Sequence, residues 1–137
     1  MAITLASSVA TAARNAACDA IVDSLDAGSG AGRFVLTLPN GSTVVATCVG
    51  QDPFFGAATA GTATQSGTAV DSAATGNASA VTRFFARDSD NTLCWEGTVA
   101  ESGADLNIDD GTPGGGVIIE ANAVVTLSSV QFTVNID

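Results

Sequence analysis

The chain has 137 residues, 46% of them hydrophobic and 13% charged, and carries a formal net charge of −10 at neutral pH. It contains no His, Lys or Tyr, and Arg14, Arg33, Arg83 and Arg87 are its whole cationic complement. That removes the usual general base, metal ligand and amine nucleophile, and leaves too few cations for a phosphate backbone or an anionic membrane surface.

The same composition argues against disorder, which goes with low hydrophobicity. One domain spanning residues 1–137 is expected, with a core of small, apolar and β-branched side chains. Met1 to Leu5 show no basic segment leading into a long apolar stretch, so no signal peptide is expected. No run approaches the ~18 uncharged apolar residues of a membrane span.

The first element is a helix at about residues 7–27. Ser7 or Ser8 suits its N-cap, Val9 to Leu25 contains neither Gly nor Pro, and Gly28 is a natural stop. Leu5, Val9, Ala13, Ala16, Ala20, Ile21 and Leu25 fall near helical spacing and define the expected buried stripe, with Asp19, Asp23 and Asp26 on the solvent side.

Residues 32–137 read as β-structure. Phe34, Leu36 and Leu38 alternate with Arg33, Val35 and Thr37, and Pro39-Asn40-Gly41 turns the chain into a partner strand from Ser42 to Val49. A loop with Phe54-Phe55 follows. The Ala/Thr alternation of Ala57 to Asn77 suits one long or two short sheet-edge strands. Ala78 to Arg87 and Leu93 to Val99 form a second hairpin about the turn Asp88 to Asn91. Ala104 to Ile108, Val117 to Leu127 and Val130 to Ile136 complete about eight strands. The expected fold is therefore mainly β: an antiparallel sandwich or jelly roll preceded by one α-helix.

Chemical motifs are sparse. Cys18, Cys48 and Cys94 match neither a disulfide framework nor a zinc pattern and read as free, core-packed thiols. Cys48 is expected on the buried strand face with Val44 and Ala46. Asp88-Ser89-Asp90-Asn91 with Glu96 resembles a calcium loop only faintly: the central Gly is missing, and the twelfth position is Val99. Asp88 to Asn91, like the cluster Asp105, Asp109 and Asp110, reads as solvated turn. Glu96, Glu101 and Glu120 lack the aromatic setting of a glycoside-cleaving pair. Thr112 to Gly116 lacks the Lys and the following helix of a phosphate loop. Neither catalytic residues nor a cofactor or metal are expected. The candidate interface residues are Phe54 and Phe55, of which only one ring turns inward easily, and Arg83 and Arg87, which share a strand face.

The segments Arg83-Phe84-Phe85-Ala86-Arg87-Asp88-Ser89-Asp90, Trp95-Glu96-Gly97-Thr98-Val99 and Ser102-Gly103-Ala104-Asp105-Leu106-Asn107 resemble a group of small virion proteins of tailed bacteriophages. These also open with a short helix around Ala-Ala-Arg-Asn-Ala and close with paired strands like Val124 to Ile136. The nearest functional analogues are capsid decoration, or cement, proteins. The resemblance implies a non-enzymatic subunit on the capsid exterior, made in the host bacterial cytoplasm. Its implied partners are the major capsid protein lattice and further copies of itself, as dimer or trimer, with no nucleic acid and no membrane. A tail-tube or fibre-associated virion protein is the alternative, and a small carbohydrate-binding β-sandwich the rival from another class.

Overall fold

A computed structural model describes residues 7–110 and 114–134. Leu5, the loop residues Thr112 and Pro113 and the strand end at Ile136 lie outside the described residues, as do the side chains of the expected caps Ser7 and Ser8 and of the stripe residue Val9. Helix α1 (Ser7–Val22) runs into one turn of 3-10 helix, Asp23–Asp26, within the expected span. Of the expected stripe, Leu25 is buried, but the rest of the buried face differs. Ala13, Ala16, Ala20 and Ile21 are exposed, whereas Cys18, Val22 and Leu25 are fully enclosed. Polar demand explains the rotation. Asn15, Asp19 and Asp26, spaced to share the inward side, accept backbone N–H groups of Gly61, Ala58 and Phe54 at 2.6, 2.6 and 2.8 Å. A loop lying against a helix needs such acceptors, because a buried N–H left without a partner costs about 1–3 kcal/mol. An alanine stripe offers none.

Strands β1 (Arg33–Thr37) and β2 (Val44–Val49) form the expected hairpin. Asn40 Oδ1 accepts from the backbone N–H of Ser42 and Thr43, and Gly41 takes φ +70° in the turn. A register shift beyond Leu36 pairs Ala46 with Leu36 and Val44 with Thr37. It turns Val44 outward and buries Val45, so Ala46 and Cys48 share the inner face without Val44.

The Ala/Thr-rich segment gives two short strands, β3 (Thr62–Thr64) and β4 (Thr68–Asp71). Strands β5 (Arg83–Arg87) and β6 (Leu93–Ala100) form the second hairpin, followed by β7 (Leu106–Asn107), β8 (Val125–Ser128) and β9 (Gln131–Thr133). Seven strands make one curled sheet in the order β7-β6-β5-β1-β2-β4-β8, while β3 and β9 pair as a second. The fold is mainly β with one N-terminal helix. It departs from two antiparallel sheets of similar size because β7 runs parallel to β6 and because β4 lies inside the sheet, not at its edge. The expected strands at Ala78 and Val117 start late. Before β5 and β8 the chain holds a single bridge, Val81 to Val117, and Gly76 and Asn122 adopt positive φ.

The core lies between the inner face of the large sheet and the layer formed by α1 and the β3–β9 pair. Its spine is aromatic. Phe84, Phe34, Phe54, Phe55, Trp95 and Phe132 touch in succession with ring centroids 5.2 to 6.4 Å apart. Two glycines make room for it: a Cβ on Gly97 would lie 2.6 Å from Phe84 Cε1, and one on Gly50 would overlap the Phe54 ring. Gly97→Ala should therefore cost about 1–3 kcal/mol in urea unfolding, through overpacking. Gly56→Ala, whose new Cβ would make an ordinary 3.7 Å contact, should stay within about 0.5 kcal/mol of the parent.

The three thiols are free. Burial pushes Cys48 up to about 12 and also raises Cys18. Cys94, half-buried, donates to Ser24 O. A thiol reagent applied to folded protein should label Cys94 first, with Cys18 and Cys48 reacting only on unfolding. Mass-resolved labelling with and without denaturant checks that order.

Candidate functional site

Phe54 and Phe55 are not surface anchors. They are 0% and 3% exposed, because both rings turn inward. Asp26 holds the Phe54 N–H, and Phe54 O accepts from Ser66 N–H. Phe55 bridges to Gln65, itself buried and bonded to Leu127 O and Val130 N–H. Proline before the pair does not splay the rings, since the loop folds back over the core as a unit. Any contact surface lies elsewhere.

Arg83 and Arg87 do share a face: the outer one of the large sheet. The register adds a third cation there, Arg33, directly opposite Arg87, with Thr37 opposite Arg83. Three of the chain's four arginines thus gather on β1 and β5. Phe85, between Arg83 and Arg87, lies beneath both guanidiniums, 5.0 and 5.7 Å from its ring centroid. This cover leaves Phe85 only 8% exposed although it points away from the core.

Like charges facing across strands repel, so the arginines need acceptors. The β5–β6 turn supplies two of them: Arg33 Nη2 donates to Ser89 O at 2.7 Å and Arg87 Nη1 to Asn91 O at 2.8 Å. Arg33 Nε is shielded from solvent and has no hydrogen-bond partner. Arg83 pairs with Glu96 at 2.9 Å. That pair is exposed, a setting in which an ion pair contributes about 0–1 kcal/mol.

The turn is itself locked. Asp88 O accepts from Asn91 N–H, Asp88 Oδ1 from Thr92 N–H, and Ser89 Oγ from Gly30 N–H, while Gly28 leaves space for the Ser89 hydroxyl. Asp88 is buried at 6% exposure, not solvated as its turn setting suggests. It serves hairpin geometry. Among the described residues no group of three or more Cys, Asp and Glu is placed to hold a metal ion.

Apolar side chains flank the arginines. Val49 lies opposite Arg33, Leu93 opposite Arg87 and Val44 opposite Thr37, and these three are 45%, 45% and 42% exposed. Arg33, Val35, Thr37, Val44, Thr47, Phe85 and Arg87 line one shallow depression of this face. Sequence parity indicates that Arg33 and Val35 point away from Phe34, but only the β1–β5 register brings Arg33 beside Arg87. Exposed valine and leucine side chains thus stand among the arginines and Thr47 on this face.

The carboxylates elsewhere respond to local structure. Burial, with Asp52 and Asp23 nearby, raises Asp26 despite the Phe54 N–H bond that lowers it. Thr98, through its N–H and hydroxyl at 2.9 and 2.8 Å, lowers Asp105. Comparisons with family models, curated proteins and solved structures give no match.

The Asp26 shift fixes a sign. A carboxyl raised on folding stabilises most when protonated, and that contribution is lost as pH rises through the folded value. Asp26→Asn keeps an oxygen for the Phe54 N–H and removes the half-buried charge. Its thermal midpoint should equal or exceed the parent's at pH near 7, with the advantage disappearing at pH below about 4, where the unfolded carboxyl also protonates. Asp26→Ala strands the N–H and should lose about 1–3 kcal/mol at either pH. Melting curves at both pH values check the pair. A midpoint for Asp26→Asn as low as that for Asp26→Ala would contradict it.

Proposed function

We propose that this chain is a structural protein of a tailed-bacteriophage virion, and most concretely a head decoration protein that stabilises the capsid by bridging major capsid subunits. The observation that carries the reading is the uncovered outer face of the large sheet, where exposed Val44, Val49 and Leu93 accompany Arg33, Arg83 and Arg87. Such a face is a contact surface of an assembled particle. The sequence resemblance supplies which particle.

The chain's chemistry supports the same reading. Without His or Lys it lacks the common means of proton transfer and amine attack, so a non-enzymatic role without a cofactor is the natural assignment. A net charge of −10 suits an exterior position, away from packaged DNA, where it keeps particles apart. In this reading the protein is made in the host cytoplasm and ends on the capsid exterior, associated with the capsid lattice and with further copies of itself. The two layers, a large sheet facing a small sheet and a helix, act as a sandwich-like rigid block. A carbohydrate-binding role loses support because Phe54 and Phe55 are in the core and Trp95 is packed between Phe55 and Phe132.

A ligand that prefers the assembled lattice to free subunits stabilises the lattice by linkage. Particles lacking this protein should therefore assemble, yet release DNA at lower temperature or on osmotic shock, and purified protein should restore their resistance. Thermal DNA-release curves of depleted and replenished particles make the test. Depleted particles that are equally robust but fail to join tails or adsorb to cells would replace the head assignment with the tail-associated one.

A further inference from the structure

The small sheet leaves one strand edge uncovered. Its ladder alternates, with hydrogen bonds between Gln65 and Val130 and between Gly61 and Val134, and therefore also at the pair Ala63 and Phe132. Gln131 and Thr133 occupy the positions between, so their N–H and C=O groups point away from β3. Among the described residues these groups meet no partner. The neighbouring edges are closed. On the far side of β3, Thr62 exchanges bonds with Thr59, and Thr64 O accepts from Gly56 N–H. On β6, β7 pairs with Val99 and Ala100, and Asp105 takes the Thr98 N–H. The uncovered edge borders an open hollow of about 230 Å³, whose walls include Phe84, Trp95, Leu106 and Phe132. Trp95 and Phe132 are only half-buried. Thr133 turns its side chain the other way, to Thr62 at 3.0 Å, so Gln131 and Thr133 border the hollow through their main chain.

We infer that the free edge of β9 is a strand-addition site, which takes an extended arm of a partner polypeptide carrying an apolar side chain between two polar ones. The main chain selects an extended backbone. Two residues at i and i+2, each presenting a donor and an acceptor, are what an added antiparallel strand pairs with. Register selects the side chains. The arm residue opposite Phe132 points its side chain to the Phe132 face, and so into the hollow, while its two neighbours face solvent. Volume selects size: about 230 Å³ falls below the roughly 300–1,000 Å³ of pockets for drug-sized ligands and suits one apolar side chain. A second copy does not fit this edge. Pairing two β9 strands about a two-fold axis puts both large sheets on one side of the joined small sheets. Each large sheet lies under its own β9, with Trp95 and Phe132 ring centroids 5.3 Å apart, and continues beyond it to Asp105 and Leu106, so the two would claim the same space. A lone arm meets no such obstacle. The inference does not depend on the decoration reading, because it concerns another face and purified protein.

Titration of the isotope-labelled full chain with the peptide acetyl-Thr-Val-Thr-Leu-Thr-Val-Thr-amide, followed by amide NMR, tests it. Saturable shifts should concentrate at β9, Trp95 and Leu106, and the Gln131 and Thr133 amides should exchange more slowly with peptide bound. Thr133→Pro removes one outward N–H and spares the β3 ladder, a change that an edge strand tolerates. It should raise the dissociation constant roughly fivefold or more at unchanged circular dichroism. Replacing the peptide's Leu by Asp, or methylating the amides of the two Thr beside it, should do the same, and neither change relies on a variant that folds. No saturable shift at these positions, or binding that survives all three changes, would overturn the inference. So would Gln131 and Thr133 amides that are already protected in the free chain. Protection that dilution removes would put a second copy on the edge, and protection that persists would put the chain's own terminal residues there. None of those results bears on whether particles need the protein for DNA retention, so the two readings fail separately.

Discussion

The structure depends on three oxygen atoms of the helix. Asn15, Asp19 and Asp26 capture the backbone N–H groups of Gly61, Ala58 and Phe54, and so fasten the loop that carries Phe54 and Phe55 across the core. A loop of this kind cannot be buried by hydrophobicity alone, because its backbone arrives with donors that water no longer satisfies. With the donors taken, Phe54 meets Phe34 and Phe55 meets Trp95, and the aromatic spine joins the two layers. The raised pKa of Asp26 follows from this arrangement: the carboxylate is kept in a partly dry place because it serves the backbone there.

Local patterns in the sequence were good guides wherever the determining residues are neighbours. Asn40-Gly41 makes the first hairpin legible, since the asparagine side chain and the glycine φ fix the turn without outside help. The far end of the helix, at Asp26, also falls where Gly28 suggests a stop. Most of its buried face is not legible. Ala13, Ala16 and Ala20 look apolar beside Asn15 and Asp19, and nothing within the helix announces that a loop some 40 residues on needs acceptors. The direction of β7, the interior place of β4 and the outward turn of Val44 likewise depend on distant pairing.

The candidate interface was legible in part. Strand parity groups Arg83 with Arg87, and both occupy one face. It also places Arg33 opposite in parity to Phe34, but the meeting of Arg33 with Arg87 needs the β1–β5 register. Phe54 and Phe55 misled because two adjacent bulky residues in a strand would point opposite ways, whereas here they sit in a loop whose backbone bends. Gly50 hinted at the outcome, as its missing side chain leaves the volume that the Phe54 ring fills. The two faces of the large sheet therefore do different work: the inner one is aromatic and closed, and the outer one is aliphatic, cationic and open.

One contact sets the order in which this protein can be completed. Cys18 of α1 donates its thiol to Phe132 O, 114 residues later, and the helix touches both β3 and β9. On the ribosome the helix emerges well before β9, yet its seat is finished only when β9 has been made and paired with β3. Until then Val22 and Leu25 have no complete surface to cover them. A fold whose first and last elements meet has many distant contacts, and such topologies form slowly, because loop closure precedes the contacts that reward it. The helix therefore cannot be fully seated before β9 is in place.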